Sequence, residues 1–246
     1  MSELARVARI PLYDARLFLA SGRPRLFRYL DDEVEARRWS EELSQAKVPH
    51  YVVSEASVVA LPVVRAGRLE PRERHFEIGL DGKEVKERAP VSLPYSEVVL
   101  IVRGEITRER QDEKRLGTMR NVSRRLTSGL RLHVYSREAP FAIEIDPERF
   151  DFQLLEGERG SSTILNFEKL VARIASLTPS AELDRGFELE PVVVSRVKEG
   201  SDITDALAQA ERGPAGALYD NETSFRYYSR WRYRVARHLL RAGASE

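Results

Sequence analysis

Five arginines near the C-terminus, Arg226, Arg230, Arg234, Arg237 and Arg241, follow one another at intervals of 4, 4, 3 and 4 residues. On an α-helix that spacing stacks them along one stripe. A guanidinium grips carboxylates and phosphates through parallel N–H donors, so the chemistry of such a row is anion or partner binding. The opposite arc carries Phe225, Tyr228, Trp231, Val235, Ala236 and Leu239, flanked by Tyr227 and Tyr233. Arg232 falls inside that arc, where its stem is expected to pack and its head to reach outward to water. Like charges at i, i+4 repel by roughly 0.2–0.5 kcal/mol per pair, so something must compensate. Three compensators fit: the protein's own carboxylates, a nucleic acid whose bases stack on the neighbouring aromatics, or an anionic membrane surface or acidic protein. Arg120, Arg124 and Arg125 form a second basic group that could extend the same surface.

Other residue types point away from an enzyme. His50, His75, His133 and His238 are far apart in sequence and give no metal-ligand spacing. His75 and His133 take the polar phase of alternating segments, which predicts that they face solvent. The carboxylate pairs Asp31/Asp32 and Asp202/Asp205 sit where helix caps and first turns are expected. No phosphate-cradling GxxxxGK[ST], dinucleotide GxGxxG or GxSxG elbow occurs. Gly157 and Gly160 precede a helix start, a weak anion-site pattern. No cofactor and no metal site is implied, although an enzyme without a recognisable motif remains a third reading.

The elements that must position these residues divide into three stretches. In 1–62, Arg16–Ala20 and Arg25–Leu30 read as strands, and Asp31/Asp32 cap a helix running to about Ala46 with Ala36, Trp39, Leu43 and Ala46 on one face. Tyr51–Val53 reads as a strand, and a short helix is capped by Ser54. This is a small α/β module. In 63–182 short strands dominate: Val63–Leu69, His75–Leu80, Tyr95–Ile106, Gly129–Ser136, Phe141–Ile145 and Phe150–Leu155. Several alternate apolar and polar residues as half-buried antiparallel strands do. Thr107–Ser128, charged and without a clear period, reads as a long loop or frayed helix. A helix follows, capped within Ser161–Thr163, with Phe167, Leu170, Val171, Ile174 and Leu177 as its apolar stripe. In 183–246 the pattern is a strand over Pro191–Val197, a short helix over Asp202–Glu211, and the long arginine-striped helix from about Ser224 to Ala242. The fold class is therefore α+β: an α/β module, an antiparallel β domain closed by a helix, and a C-terminal helical tail.

Composition sets the frame. The 246 residues include 40 Lys+Arg and 39 Asp+Glu, yet Lys114–Arg131 carries +6 with no acid and Asn221–Arg241 carries +5, leaving −10 elsewhere. With no Cys, disulfides and thiol chemistry are excluded. No targeting or membrane-spanning segment is expected, and a cytoplasmic location is the default reading.

The middle stretch resembles bacterial pleckstrin-homology-like domains. The likeness rests on successive short strands, a PYSEV step at Pro94–Val98, and a closing amphipathic helix over Leu165–Leu177. The run from Phe150 to Phe187 is similar to a family of bacterial proteins of no assigned activity, and the first 60 residues resemble small ferredoxin-like signalling modules. The resemblance implies binding or scaffolding rather than a reaction, and it carries no site residue with it. The Thr107–Ser128 insertion departs from the pattern. The sequence thus leads to a non-enzymatic regulatory or scaffolding protein with a protein partner. A nucleic-acid-binding protein using the C-terminal helix is the alternative and an enzyme with no recognisable motif the second; among partners an anionic membrane surface ranks below protein and nucleic acid.

Overall fold

The computed structural model describes residues 2–20, 24–81, 90–116, 119–138, 141–187, 208–213 and 216–243, without the side chains of 111–124, 208–219 and 242–243. The chain opens with helices α1 (Ser2–Ala8) and α2 (Leu12–Ala20), then α3 (Glu33–Gln45) and α4 (Glu55–Val59). The strand expected over Arg16–Ala20 is thus a helix. Its apolar residues pack on α1 and α3 around Leu4, Val7, Ala15 and Leu43, with Phe18, Phe27 and Trp39 at the margin. Helix partners on one side, with no neighbouring strand to supply a ladder, decide the conformation. Arg25–Leu30 and Tyr51–Val53 lack regular structure. The α3 reading holds, with Asp32 as N-cap accepting from the Val34 amide at 2.9 Å.

Nine described strands form one sheet. They are β1 (Val63–Pro71), β2 (His75–Leu80), β3 (Val91–Pro94), β4 (Val98–Leu116), β5 (Met119–Ser136), β6 (Ala142–Ile145), β7 (Glu182–Asp184), β8 (Ala208–Gly213) and β9 (Gly216–Asp220). Their order is β3-β2-β1-β6-β5-β4-β9-β8, with β7 also on β4. Most ladders are antiparallel; β1/β6 and β4/β7 are short parallel ones. Helices α5 (Thr163–Leu177) and α6 (Glu222–Gly243) complete an α+β architecture.

Strand alternation supplies two cores on opposite faces of the sheet. Ile101, Leu130, Leu132, Val134, Ile143 and Ile145 pack with Phe167, Leu170, Val171 and Ile174 of α5. Leu100, Val102, Ile106 and Tyr135 pack with Phe225, Tyr228, Trp231 and Val235 of α6. α6 approaches closely because Gly104 carries no side chain: a Cβ there would lie 2.3 Å from the Phe225 ring.

Thr107–Ser128 is neither loop nor helix. β4 and β5 pair from Val98↔Ser136 to Leu116↔Met119 with one register shift between Val98 and Leu100, a single hairpin of 19 and 18 residues. Apolar alternation is missing from its outer half because the side chains described there do not enter a core: Arg110, Arg125, Leu126, Thr127 and Ser128 are exposed. The backbone ladder continues outward, and β9 pairs with β4 over Arg108–Asp112. Three other expectations need correction or lie out of view. Phe150–Leu155 is a 3₁₀ segment (Phe152–Glu158) because only Arg68↔Asp151 pairs with the sheet. The helix expected over Asp202–Glu211 gives way to β8 from Ala208, where pairing with β9 overrides local helix propensity, and its start lies outside the described residues. The strand expected at Pro191–Val197 also lies outside them.

Candidate functional site

The polar phase of β5 and β6 faces α6. Arg131, His133 and Tyr135 therefore lie beside Glu144 and Asp146, with Arg65 of β1 next to Glu144. Glu144 is the hub, with its side chain 2% exposed. Its Oε1 accepts from Arg65 Nε at 3.0 Å and Nη2 at 2.8 Å. Its Oε2 accepts from His133 Nε2 at 3.2 Å and from Arg226 Nε of α6 at 3.2 Å. Arg226 Nη2 donates onward to Glu222 at 2.7 Å.

A carboxylate can only accept, so the His133 proton sits on Nε2 and Nδ1 is the acceptor. Ser229 Oγ lies 2.9 Å from that Nδ1, and Tyr135 OH lies 2.7 Å from Ser229 Oγ. The chain then runs from Tyr135 to Ser229 to His133 to Glu144, with every proton placed. Burial pushes His133 below its ordinary value, with Arg226 and Arg230 adding to the effect against Glu144, so its ring is neutral. Burial works to raise the Glu144 carboxyl, but its hydrogen bonds and the Arg226 and Arg65 guanidiniums outweigh that and hold it well below the carboxylate range. The Tyr135 phenol is pushed up by burial.

Two further ion-paired sets fasten the same helix. Arg131, 2% exposed, donates to Asp146 at 2.8 Å and to the Leu130 carbonyl at 2.9 Å, and its Nη2 lies 3.7 Å from Glu222 of α6. Arg232 does not reach outward to water. It is buried, paired through Nε with Asp184 of β7 and through Nη2 with Glu182 at 2.7 Å. The reason is β7, which places both carboxylates beside the apolar arc. Tyr228 OH also donates to Asp184.

A carboxylate–imidazole–hydroxyl line is the arrangement that activates a serine nucleophile. Here Ser229, His133 and Tyr135 are fully buried. An open cleft of about 440 Å³ lies elsewhere, between α1 and α3, lined by Glu3, Arg6, Arg9, Glu42 and Lys47 among others. Its lining includes no histidine, serine, threonine or tyrosine. The described residues hold no cluster of three or more metal-ligating side chains, and no described helix is long and apolar enough to cross a membrane. The line acts as a polar clasp between α6 and the sheet.

The expected arginine row lies on α6, but its members differ in surroundings. Arg226 is ion-paired, Arg234 donates to the Ser57 carbonyl at 2.9 Å and 2.5 Å, and Arg237 lies 5.8 Å over the Tyr233 ring. Arg241 is exposed. Arg230 is half-buried, and its Nε has no hydrogen-bond partner among the described residues. Arg120, Arg124 and Arg125 lie on the outer half of β5, away from α6 in register; the side chains of the first two are outside the described set. Asn166 takes up the Gly160 amide at 2.8 Å, so that amide faces a side chain rather than an anion.

Sequence reasoning placed His133 in solvent; it is buried, because the polar phase of β5 is covered by α6. It also missed Glu144, Ser229 and Gly104. The available signal was the joint alternation of Arg131/His133/Tyr135 and Glu144/Asp146, which puts opposite charges on one face of adjacent strands. Comparison of the chain with protein-family models, curated proteins and solved structures finds no match.

Proposed function

We propose that this is a non-enzymatic binding protein that captures an acidic, extended segment of a partner protein along the outer edge of β5. One observation carries the reading. β5 is paired on both sides over Leu132–Val134, but over Met119–Leu130 it is paired only with β4 among the described residues. An open run of strand edge is a template for strand addition, in which main-chain bonds supply affinity. The charge of the edge selects the occupant: residues 119–128 include Arg120, Arg124 and Arg125 and no acid. A second copy pairing there would bring like charges together, which is destabilising. A nucleic-acid role through α6 draws less support, since Arg226, Arg232 and Arg234 already bond within the protein.

The test is a fluorescence-anisotropy titration with a glutamate-rich β-forming peptide, its lysine counterpart, and single- and double-stranded DNA. The acidic peptide should bind, the basic one should not, and Arg120→Glu with Arg124→Glu should abolish binding. Tighter binding of DNA, weakening steeply between about 50 and about 200 mM salt, would replace this reading with the nucleic-acid one.

A further inference from the structure

Helix α2 is apolar almost all round: Leu12, Tyr13, Leu17, Phe18 and Leu19 fill five of its nine positions, and Asp14 and Arg16 are its charges. A helix of that composition ordinarily sits inside a core. Here Ala15 alone is buried, and Phe18 packs beside it toward α1 and α3. Leu12 is 44% exposed, Tyr13 69%, Leu17 48% and Leu19 43%. At about 3.6 residues per turn these four, with Arg16 among them, span nearly half the helix circumference. A single exposed leucine needs no explanation, but four such side chains on one short helix mark a docking surface.

The charge around the patch selects its occupant. From Ser2 to Leu30 the chain carries six arginines against Glu3 and Asp14, a net +4. Arg9 and Arg16 are exposed, and the Arg25 guanidinium is held beside α2, 5.3 Å from the centre of the Phe18 ring. The compensating acids fall within Asp31–Glu42, at the start of α3. Trp39 and Leu43 of that helix share a cluster with Ala15 and Phe18, so α3 lies behind α2, away from the patch.

Size separates a bilayer from a protein partner. α2 is about 14 Å long and about 10 Å across, a small footprint beside the roughly 800 Å² per partner of a stable protein interface. Apolar side chains spread over half a convex cylinder suit a fluid that closes round them. An arginine in their midst keeps its stem apolar while its head reaches lipid phosphates. Tyrosine is enriched at that same headgroup level.

We infer that α2 docks the protein on an anionic phospholipid surface, lying in the interface without crossing it. Leu12, Tyr13, Leu17 and Leu19 enter the boundary of the acyl chains, and Arg9, Arg16 and Arg25 meet lipid phosphates. The surface is separate from the β5 edge and does not rest on strand addition there.

Co-sedimentation with vesicles of equimolar phosphatidylserine and phosphatidylcholine, against phosphatidylcholine alone, tests this. The full chain should sediment with the mixed vesicles and stay in solution with the neutral ones. Leu12→Ser with Leu17→Ser should abolish sedimentation, and Arg16→Gln should weaken it about fivefold for the lost charge. Val34→Ser, at an exposed position of α3, should leave it unchanged. Equal binding to both vesicles, or undiminished binding by the double variant, would overturn the inference. Because the chain has no cysteine, Tyr13→Cys carries a single polarity-sensitive dye and reads insertion directly, whether or not the double variant folds. Blue-shifted emission on the mixed vesicles supports the docking. Unshifted emission from protein that sediments assigns the binding to another surface and refutes it. Self-association in sedimentation velocity that the double variant loses would give the patch to a second copy of the chain instead.

Discussion

The two halves of the β4–β5 hairpin share one ladder and almost nothing else. The inner half, Val98–Ile106 with Leu130–Ser136, is clamped between α5 and α6, and even the polar Arg131 and His133 are buried there. The outer half, from Arg110 outward and back to Ser128, exposes each side chain described there, Leu126 at 67% among them. Backbone pairing therefore tolerates both environments. The difference lies in what each half must do with its polar groups. Where water is excluded, each charge needs a partner, and the Glu144 network supplies them. Where water is present, charge alone protects the edge.

The largest break in this contrast should come from Glu144→Ala. It strands Arg65 and His133 in the inner half and leaves Arg226 with Glu222 alone, and loss of one partner from a buried ion pair costs about 3–5 kcal/mol. Urea unfolding measures it; a loss below about 1 kcal/mol would mean that the network is hydrated and the inner half less closed than its geometry. Gly104→Ala comes next. The new Cβ meets Phe225 at 2.3 Å and Phe187 at 3.3 Å, and overpacking of this kind costs about 1–3 kcal/mol. Adding Phe225→Leu should recover part of the loss, a coupling that separates overpacking from backbone strain.

The same contrast explains what could be read from residues alone. Strands with one buried face, such as His75–Leu80, and helices with a clear stripe, such as Thr163–Leu177, follow from period and capping because burial writes itself into the sequence. The side chains described in the outer hairpin enter no core, and its sequence shows no apolar period. What it did leave is subtler: no proline between Pro94 and Pro140, and a Gly117-Thr118 step between Thr107 and Thr127. The arginine row was legible as a row. Its pairing with Glu144 was not, because a strand's polar phase reads as solvent-facing until a second layer is known to cover it. His133 differs from its sequence expectation for that reason, and Arg232 because β7 sets Asp184 and Glu182 beside the apolar arc of α6.

Acid should open the inner half first. His133 is neutral in the fold and protonates more readily once unfolded, so stability is full above its ordinary value of 6.5 and falls as pH drops below it. Glu144 works in the same direction lower down, its contribution present above 4.5 and lost as pH falls further. Asp220, raised mainly by burial, opposes them only near its ordinary 3.8. The slope is at most about 1.4 kcal/mol per pH unit for one proton. Chemical denaturation between pH 7.5 and pH 5 should show it, and His133→Gln should flatten it. An unchanged slope in that variant would place the titrating group elsewhere.

The smallest effect is the most discriminating for the outer half. Leu126→Ser removes an exposed apolar side chain opposite Glu109 in the ladder, and surface changes away from packing stay within about 0.5 kcal/mol. A larger loss in urea unfolding would mean that Leu126 is covered in solution, and the cover can be identified. If the loss grows with protein concentration, a second copy sits on the edge despite its arginines, and strand addition by an acidic partner must compete with self-association. If it does not, another part of the same chain closes the edge, and the asymmetry between the two halves of the hairpin is smaller than their side chains indicate.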